Sequence, residues 1–239
     1  MKKLLGALLM TCFGAVAFAQ IPYSTSFEGS AFTPGLLNGQ DSWQTSDSSY
    51  SVTNSFARTG SQSVQWTGNS TNFPWAFRSF GNVADAVADV WVFVPQNTDS
   101  GFYFGLEAFL DPLAAEFSIL TVNKDGEVRG TFGSAGSTDL TVLGNVGSVA
   151  DSWINIKLSV DTAGTTWGTV NGTQFLLPTL TASTFIEDID LASYAWSSPT
   201  GVAGTAFFDD FSAAPVPEPF TLSAMALGLV AVASKRRKK

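Results

Sequence analysis

From Trp153 to Val160 the chain alternates apolar and polar side chains without a break: Ile154, Ile156, Leu158 and Val160 take one face, and Trp153, Asn155, Lys157 and Ser159 the other. A period of two marks a half-buried antiparallel strand. After Asp161-Thr162-Ala163-Gly164, a turn by composition, a second strand is expected over 165–170. Asn171-Gly172 then predicts a type I′ hairpin returning through 173–177, because both central positions of that turn need positive φ. The runs 90–94 and 102–110 are apolar on both faces and read as central strands, with Trp91 expected in the core. Asn123-Lys124-Asp125-Gly126 makes a further turn between strands at 117–122 and 127–132. No helical period of 3.6 persists over three turns between Gln20 and Ala214. Counting in the same way from Tyr23 to Phe211 gives about a dozen strands, too many for one open sheet, so two packed antiparallel sheets are expected.

Charge removes several function classes. The formal charge of −8 hides its distribution, since Lys2 and Lys3 sit at one end and Lys235, Arg236, Arg237, Lys238 and Lys239 at the other. Between Gln20 and Ala214 five Lys or Arg face nineteen acids, so the body has no basic stripe to neutralise a phosphate backbone and nucleic acid is not a partner. The chain has no His, which excludes Ser-His-Asp and Cys-His nucleophiles and every His-bearing zinc site. Its one Cys, Cys12, lies in the leading apolar stretch, so an internal disulfide is excluded too.

The two ends read as addresses. Residues 1–19 carry cationic Lys2 and Lys3, an apolar run from Leu4 to Val16 and the small-residue site Ala17-Phe18-Ala19, which together make a secretory signal peptide cleaved between Ala19 and Gln20. A lipid-attachment reading at Cys12 fails on Thr11, where a small Gly, Ala or Ser is wanted. Residues 213–239 repeat a three-part pattern. Val216, Pro217, Glu218 and Pro219 are followed by an apolar helix at 220–234 and the basic stop Lys235, Arg236, Arg237, Lys238 and Lys239. Pro219 starts a helix but cannot continue one. Fourteen apolar residues from Phe220 to Ala233 reach only ~21 Å against a ~30 Å hydrocarbon core, and the cations past them belong on the cytoplasmic side. This order of parts resembles the PEP-CTERM sorting signal of Gram-negative bacteria. The resemblance implies export through the Sec translocon, cleavage by signal peptidase, and processing by an exosortase near the motif. It also implies a membrane anchor, transient or permanent, with the body in the periplasm, on the cell surface or secreted.

Pro, Gly and Ser never concentrate enough within 20–212 to mark an internal boundary, so one β-sandwich domain is expected there, with Ala213 to Pro217 as a tether. Ser26-Phe27-Glu28-Gly29, the segment from Leu37 to Trp43, and Asp151 to Lys157 running into Val170-Asn171-Gly172 are similar to concanavalin A-like, laminin-G type jelly rolls. The implied fold is an all-β, two-sheet antiparallel jelly-roll sandwich. A galactose-binding-like jelly roll is the alternative.

Three constellations bear on chemistry. In Ala206-Phe207-Phe208-Asp209-Asp210-Phe211, alternation puts Phe207, Asp209 and Phe211 on one face, so a core-facing Phe pair would carry the Asp209 carboxylate inward. A buried carboxylate needs a partner, and a structural Ca2+ held by Glu28, Asp209 and Asp210 is one remedy; a solvated acidic pair at a sheet edge is the other. Glu187, Asp188 and Asp190 invite a glycosidase reading, but the Glu-x-Asp-x-x-Glu strand of jelly-roll glucanases is not supplied. They are expected as a solvated start to a strand, with no catalytic residue and no enzyme activity. Among seven Trp, Trp153 and Trp167 with Asn155 are candidate glycan contacts, aromatic faces and an amide being what sugar rings and hydroxyls use. The expected function is a surface or matrix protein whose sandwich binds extracellular polysaccharide. The alternative is a structural biofilm or envelope component without a small ligand, and a glycoside hydrolase stands behind both.

Overall fold

The computed structural model describes residues 22–69, 74–110, 116–134, 140–161, 165–177, 185–196, 199 and 201–215. Sixteen strands form two antiparallel sheets packed face to face, and no α-helix occurs among the described residues. The first sheet has nine strands. Its order is β14 (Thr173–Leu176), β13 (Thr166–Val170), β12 (Trp153–Val160), β7 (Ala86–Phe93), β16 (Ala203–Pro215), β5 (Ser63–Asn69), β4 (Tyr50–Thr53) and β2 (Gly35–Leu36), with β1 (Tyr23–Thr25) added along the second half of β16. The second sheet runs β11 (Thr141–Asn145), β10 (Glu127–Ser134), β9 (Glu116–Val122), β8 (Phe102–Leu110), β15 (Ile186–Ala195), β6 (Trp75–Val83) and β3 (Gln44–Thr45).

The clearest sequence signals become these elements. Strand β12 spans the alternating run and buries Ile154, Ile156, Leu158 and Val160. Asn171 and Gly172 both take positive φ, as the predicted hairpin turn between β13 and β14 requires. The Asn123 to Gly126 turn joins β9 to β10, and the two doubly apolar runs lie inside β7 and β8, each central in its sheet. Trp91 differs from its expectation. In β7 the core takes Ala86, Ala88, Val90 and Val92, so Trp91 faces outward and lies half-buried under the Arg58 guanidinium, 3.6 Å from its ring centroid.

One core lies between the sheets, built on aromatic contacts that cross from sheet to sheet. Trp66 of β5 meets Phe102 and Phe104 of β8 at 5.5 and 5.1 Å between ring centroids, and Phe208 of β16 touches both Tyr50 and Phe104. Tyr50 goes further. From β4 its ring crosses the core and its hydroxyl donates to the Leu191 carbonyl of β15 at 2.8 Å, beside Ser193 Oγ, which itself donates to the Pro74 carbonyl. Two strands of the second sheet, β15 and β6, are thereby tied to the first sheet at one buried point.

At the C-terminal end Ala213, Ala214 and Pro215, expected as tether, extend β16 and pair with Ala88, Val87 and Ala86. No helix among the described residues is long and apolar enough to cross a membrane, and the expected 220–234 helix lies outside them.

Two substitutions test this packing in denaturant titrations. Phe208→Ala empties a fully buried ring site and should cost about 3–5 kcal/mol. Tyr50→Phe strands the Leu191 carbonyl and should cost about 1–3 kcal/mol.

Candidate functional site

The outer face of the second sheet carries the chemistry-bearing groups. On β15 the core takes Ile186, Ile189 and Leu191, so Asp188, Asp190, Ala192 and Tyr194 point the other way. Register then fixes the neighbours. On β8, Phe109, Glu107, Gly105 and Tyr103 stand opposite those four in order, while on β6 Ser79, Phe77 and Trp75 stand opposite the first three. Glu107 and Asp190 are therefore directly opposed on adjacent strands, with Cβ atoms about 4.5–5.5 Å apart by antiparallel geometry. Asp188 is the next outward residue on the same strand. Gly105 faces Ala192, so nothing larger than a methyl separates this pair from Tyr194, whose hydroxyl reaches back to donate to Glu107 Oε2 at 2.6 Å. Gly105 is also required by the ladder, since a Cβ there would lie 2.1 Å from the Leu120 carbonyl oxygen.

Burial tunes these carboxyls. Phe117, Ile119 and Leu140 form an apolar cluster against which Phe109 and the Tyr194 ring pack, and it lies beside the acids on the same face. Glu107 is 8% exposed and Asp190 6%. Desolvation pushes Glu107 up to about 7, only partly opposed by the Tyr194 hydrogen bond. Asp188 is likewise raised to about 7 by desolvation and the charges of Glu187 and Glu107, against a hydrogen bond with Asp190 that lowers it. Asp190 is raised well above the carboxylate range by desolvation, by the charges of Asp188 and Glu107 and by that same hydrogen bond. One oxygen of each Asp, Oδ1, is buried without a hydrogen-bond partner. Tyr194 rises too, by burial and by the Glu107 charge and hydrogen bond, and acts as a donor rather than a base.

Farther along the face a second group is fully paired. Tyr103 Oη donates to Glu127 Oε1 at 2.8 Å and Arg129 Nε to the same oxygen at 2.6 Å, which holds Glu127 below its usual range. The Arg129 guanidinium lies over the rings of both Tyr103 and Trp196.

The residues singled out from the sequence lie elsewhere, on or beside the first sheet. Alternation in β16 breaks between Asp209 and Ser212, where the register with β7 shifts and Asp210 takes φ +49. Phe208 and Phe211 therefore fill the core. Phe207 turns outward to join Phe56, Phe93 and Trp153, correcting the reading that paired it inward with Asp209 and Phe211. Asp209 is buried beneath the 54–62 connection: its Oδ2 accepts the amides of Arg58 and Thr59, and its Oδ1 that of Asp210. Asp210 pairs with the Arg58 guanidinium and Thr59 Oγ1, and Glu28 accepts the amides of Ser61 and Gln62. Strands β1 and β16 do pair, as the calcium reading needed, but Glu28, Asp209 and Asp210 spend their oxygens on N–H and O–H donors. No metal-holding group of acids occurs among the described residues, so these three do not fit a calcium cage.

Trp153 stacks on Phe56 at 5.5 Å, and Asn155 donates to Asp89 at 2.6 Å, so both are engaged within the protein. Trp167 is half-buried two strands from β7. The signal-peptide residues Ala17, Ala19 and Gln20, the motif Val216 to Pro219 and the basic stop from Lys235 lie outside the described residues.

Glu107 and Tyr194 were missed because the groups that give them meaning come from other strands. Asp188 and Asp190 were expected to be solvated, and the structure corrects that: their strand is central and Asp190 is buried. The available signal was the acid inside the doubly apolar run 102–110, where Glu107 is the only charge.

No family model matches the chain, and no curated protein does. Solved structures do. Cellulose induced protein Cip1 superposes with a TM-score of 0.57 at 15% identity, covering 81% of this chain and 97% of its own. The endo-β-1,4-glucuronan lyase of the fungus Trichoderma reesei gives 0.54 at 11%, covering 81% and 95%. A variant of alginate lyase Aly36B in complex with alginate trisaccharide gives 0.58 at 12%, covering 82% and 100%. At these identities the likeness establishes the jelly-roll sandwich. It also overturns the expectation of a chain without enzyme activity, because the same sandwich in alginate and glucuronan lyases carries catalysis, and this chain's outer sheet face holds carboxyls with raised proton affinity.

Proposed function

We propose that this chain is an exported, surface-sorted protein that binds an uncharged polysaccharide on the outer face of its second sheet and hydrolyses it, with Glu107 and Asp190 as the carboxyl pair. The observation that carries the reading is their direct opposition across β8 and β15, with the proton affinity of both acids raised by burial. Two carboxyls in different protonation states at neutral pH are what glycoside cleavage needs. Asp190 keeps its proton and gives it to the leaving glycosidic oxygen as the bond from that oxygen to the anomeric carbon breaks. Glu107, its anion supported by the Tyr194 hydroxyl, attacks that carbon; water then cleaves the ester, with Asp190 accepting the water's proton. Asp188, hydrogen-bonded to Asp190, is placed to share that proton.

Charge selects the polymer. A polyuronate would bring its own carboxylates to a face holding Glu107, Asp188 and Asp190, and the nearby Arg129 is already matched by Glu127. The kinship read in the sequence, concanavalin A-like rather than galactose-binding-like, is kept. Export through the Sec translocon and sorting by an exosortase rest on the order of parts at each end of the sequence. Calcium is not part of the proposal.

Reducing-end assays on β-glucans and xylan should show turnover that Glu107→Gln or Asp190→Asn lowers about 10²–10⁴-fold. Unsaturated ends released from alginate or glucuronan, with neutral glycans untouched, would replace hydrolysis with elimination. Intact mass of the surface-exposed protein should begin at Gln20 and end near Glu218; a chain running to Lys239 would leave an anchor without processing.

Stability should follow pH in a defined direction. Glu107 and Asp188 have raised folded-state proton affinities, so between about pH 4 and 7 the folded state binds more protons than the unfolded one. Their contribution is fully present below pH 4 and is lost as pH rises through about 7, at up to about 1.4 kcal/mol per pH unit for each proton held. Thermal denaturation should therefore show Tm falling from pH 5 to 8, and Glu107→Gln should flatten that slope.

A further inference from the structure

Two exposed indoles, Trp75 at 42% and Trp196 at 37%, lie on the same outer face as the carboxyl pair. Both are held by the backbone. Trp75 exchanges hydrogen bonds with Ser46, whose Oγ accepts the Trp75 amide at 3.0 Å while its amide donates to the Trp75 carbonyl. The Trp75 ring meets Phe77 edge-on at 5.1 Å, which leaves indole surface open. Trp196 continues the β15 ladder through its amide to the Gly101 carbonyl at 2.8 Å, and Arg129 stands over one side of its ring.

Their placement identifies the occupant. Trp75 sits opposite Ala192, and Trp196 lies four residues farther along β15, about 13 Å at strand rise. Between and around them are hydrogen-bonding groups: the Arg129–Glu127 pair, and Gln44, exposed on β3 opposite Phe77. A lipid surface or an apolar protein partner would want one continuous greasy patch. Two separate flat faces, spaced for a short run of rings and bordered by polar groups, match the apolar C–H faces and equatorial hydroxyls of a neutral glycan.

Resting on the hydrolase reading above, we infer that Trp75 and Trp196 are sugar-stacking subsites that seat the polymer on the Tyr194 side of the Glu107–Asp190 pair. Trp75 is the nearer subsite and Trp196 the farther. Each supplies binding common to ground and transition states, so their loss raises KM and leaves kcat in place.

The test uses the full chain with Trp75→Ala, Trp196→Ala, the double variant, Trp75→Phe, Trp196→Phe and Trp167→Ala, all checked for folding by circular dichroism. Binding is read by affinity electrophoresis in hydroxyethyl cellulose and mixed-linkage β-glucan, with turnover measured separately. Each single Ala variant should weaken binding up to about tenfold, and the Phe variants should restore much of it. The kcat should stay within about twofold, and Trp167→Ala should match the parent. Glycan retention without turnover that still depends on Trp75 and Trp196 would sink the hydrolase reading and keep the platforms. Turnover indifferent to both residues would do the reverse. Retention lost only in Trp167→Ala, or binding to phosphatidylcholine vesicles in place of either glycan, would overturn the inference.

Discussion

A sheet has two faces, and this protein has to cover more than the shared interior can. The aromatic contacts of Trp66, Phe102, Phe104 and Phe208 lock one face of each sheet to the other, and everything functional is a consequence of how the remaining two faces are dressed. On the first sheet the 54–62 connection folds across the outside. It sets Phe56 among Phe93, Trp153 and Phe207, lays Arg58 on Trp91, and gives its amides to Asp209 and Glu28. On the second sheet, among the described residues, an apolar cluster lies beside the carboxyls and the Tyr194 hydroxyl donates to Glu107. The same residue type thus meets two fates. Asp209 is raised by desolvation, but three backbone N–H groups oppose the rise. Asp190 is desolvated beside the Asp188 and Glu107 charges and is raised well above the carboxylate range.

How much of this could be read beforehand follows from the range of each interaction. Strand β12 and the Asn171-Gly172 turn were legible because alternation and turn chemistry are local. The pairing of the first and last strands came from fold resemblance and is present in β1 and β16. Trp91 was misplaced because an apolar run on both faces does not say which face meets the core, and here Val90 and Val92 do. The β16 reading failed at one residue: the shift at Asp209–Ser212 exchanges the roles of Phe207 and Phe208, which a strict period of two cannot anticipate.

The site was harder still. Glu107 and Asp190 are 83 positions apart in the chain and become neighbours only through the register of β8 on β15. Looking for a glucanase pattern along one strand could not find a pair divided between two. Trp153 was favoured because its ring shares a strand face with Asn155, yet it is stacked on Phe56 and Asn155 is spent on Asp89. Trp75, at the head of β6, carries no local sign of the face it occupies.

The arrangement also separates duties between the sheets. The described residues end in β16, which is interior to the nine-stranded sheet and paired with β1 to Ala213 and with β7 to Pro215. The carboxyl pair and the exposed indoles lie on the outer face of the other sheet, with the whole core between. A chain held or processed through residues beyond Pro215 would therefore be gripped on the sheet that does not bear the carboxyl pair. Tyr50 is the point where the two meet mechanically. It starts in the sheet that holds β16 and ends on the Leu191 carbonyl, one residue from Asp190.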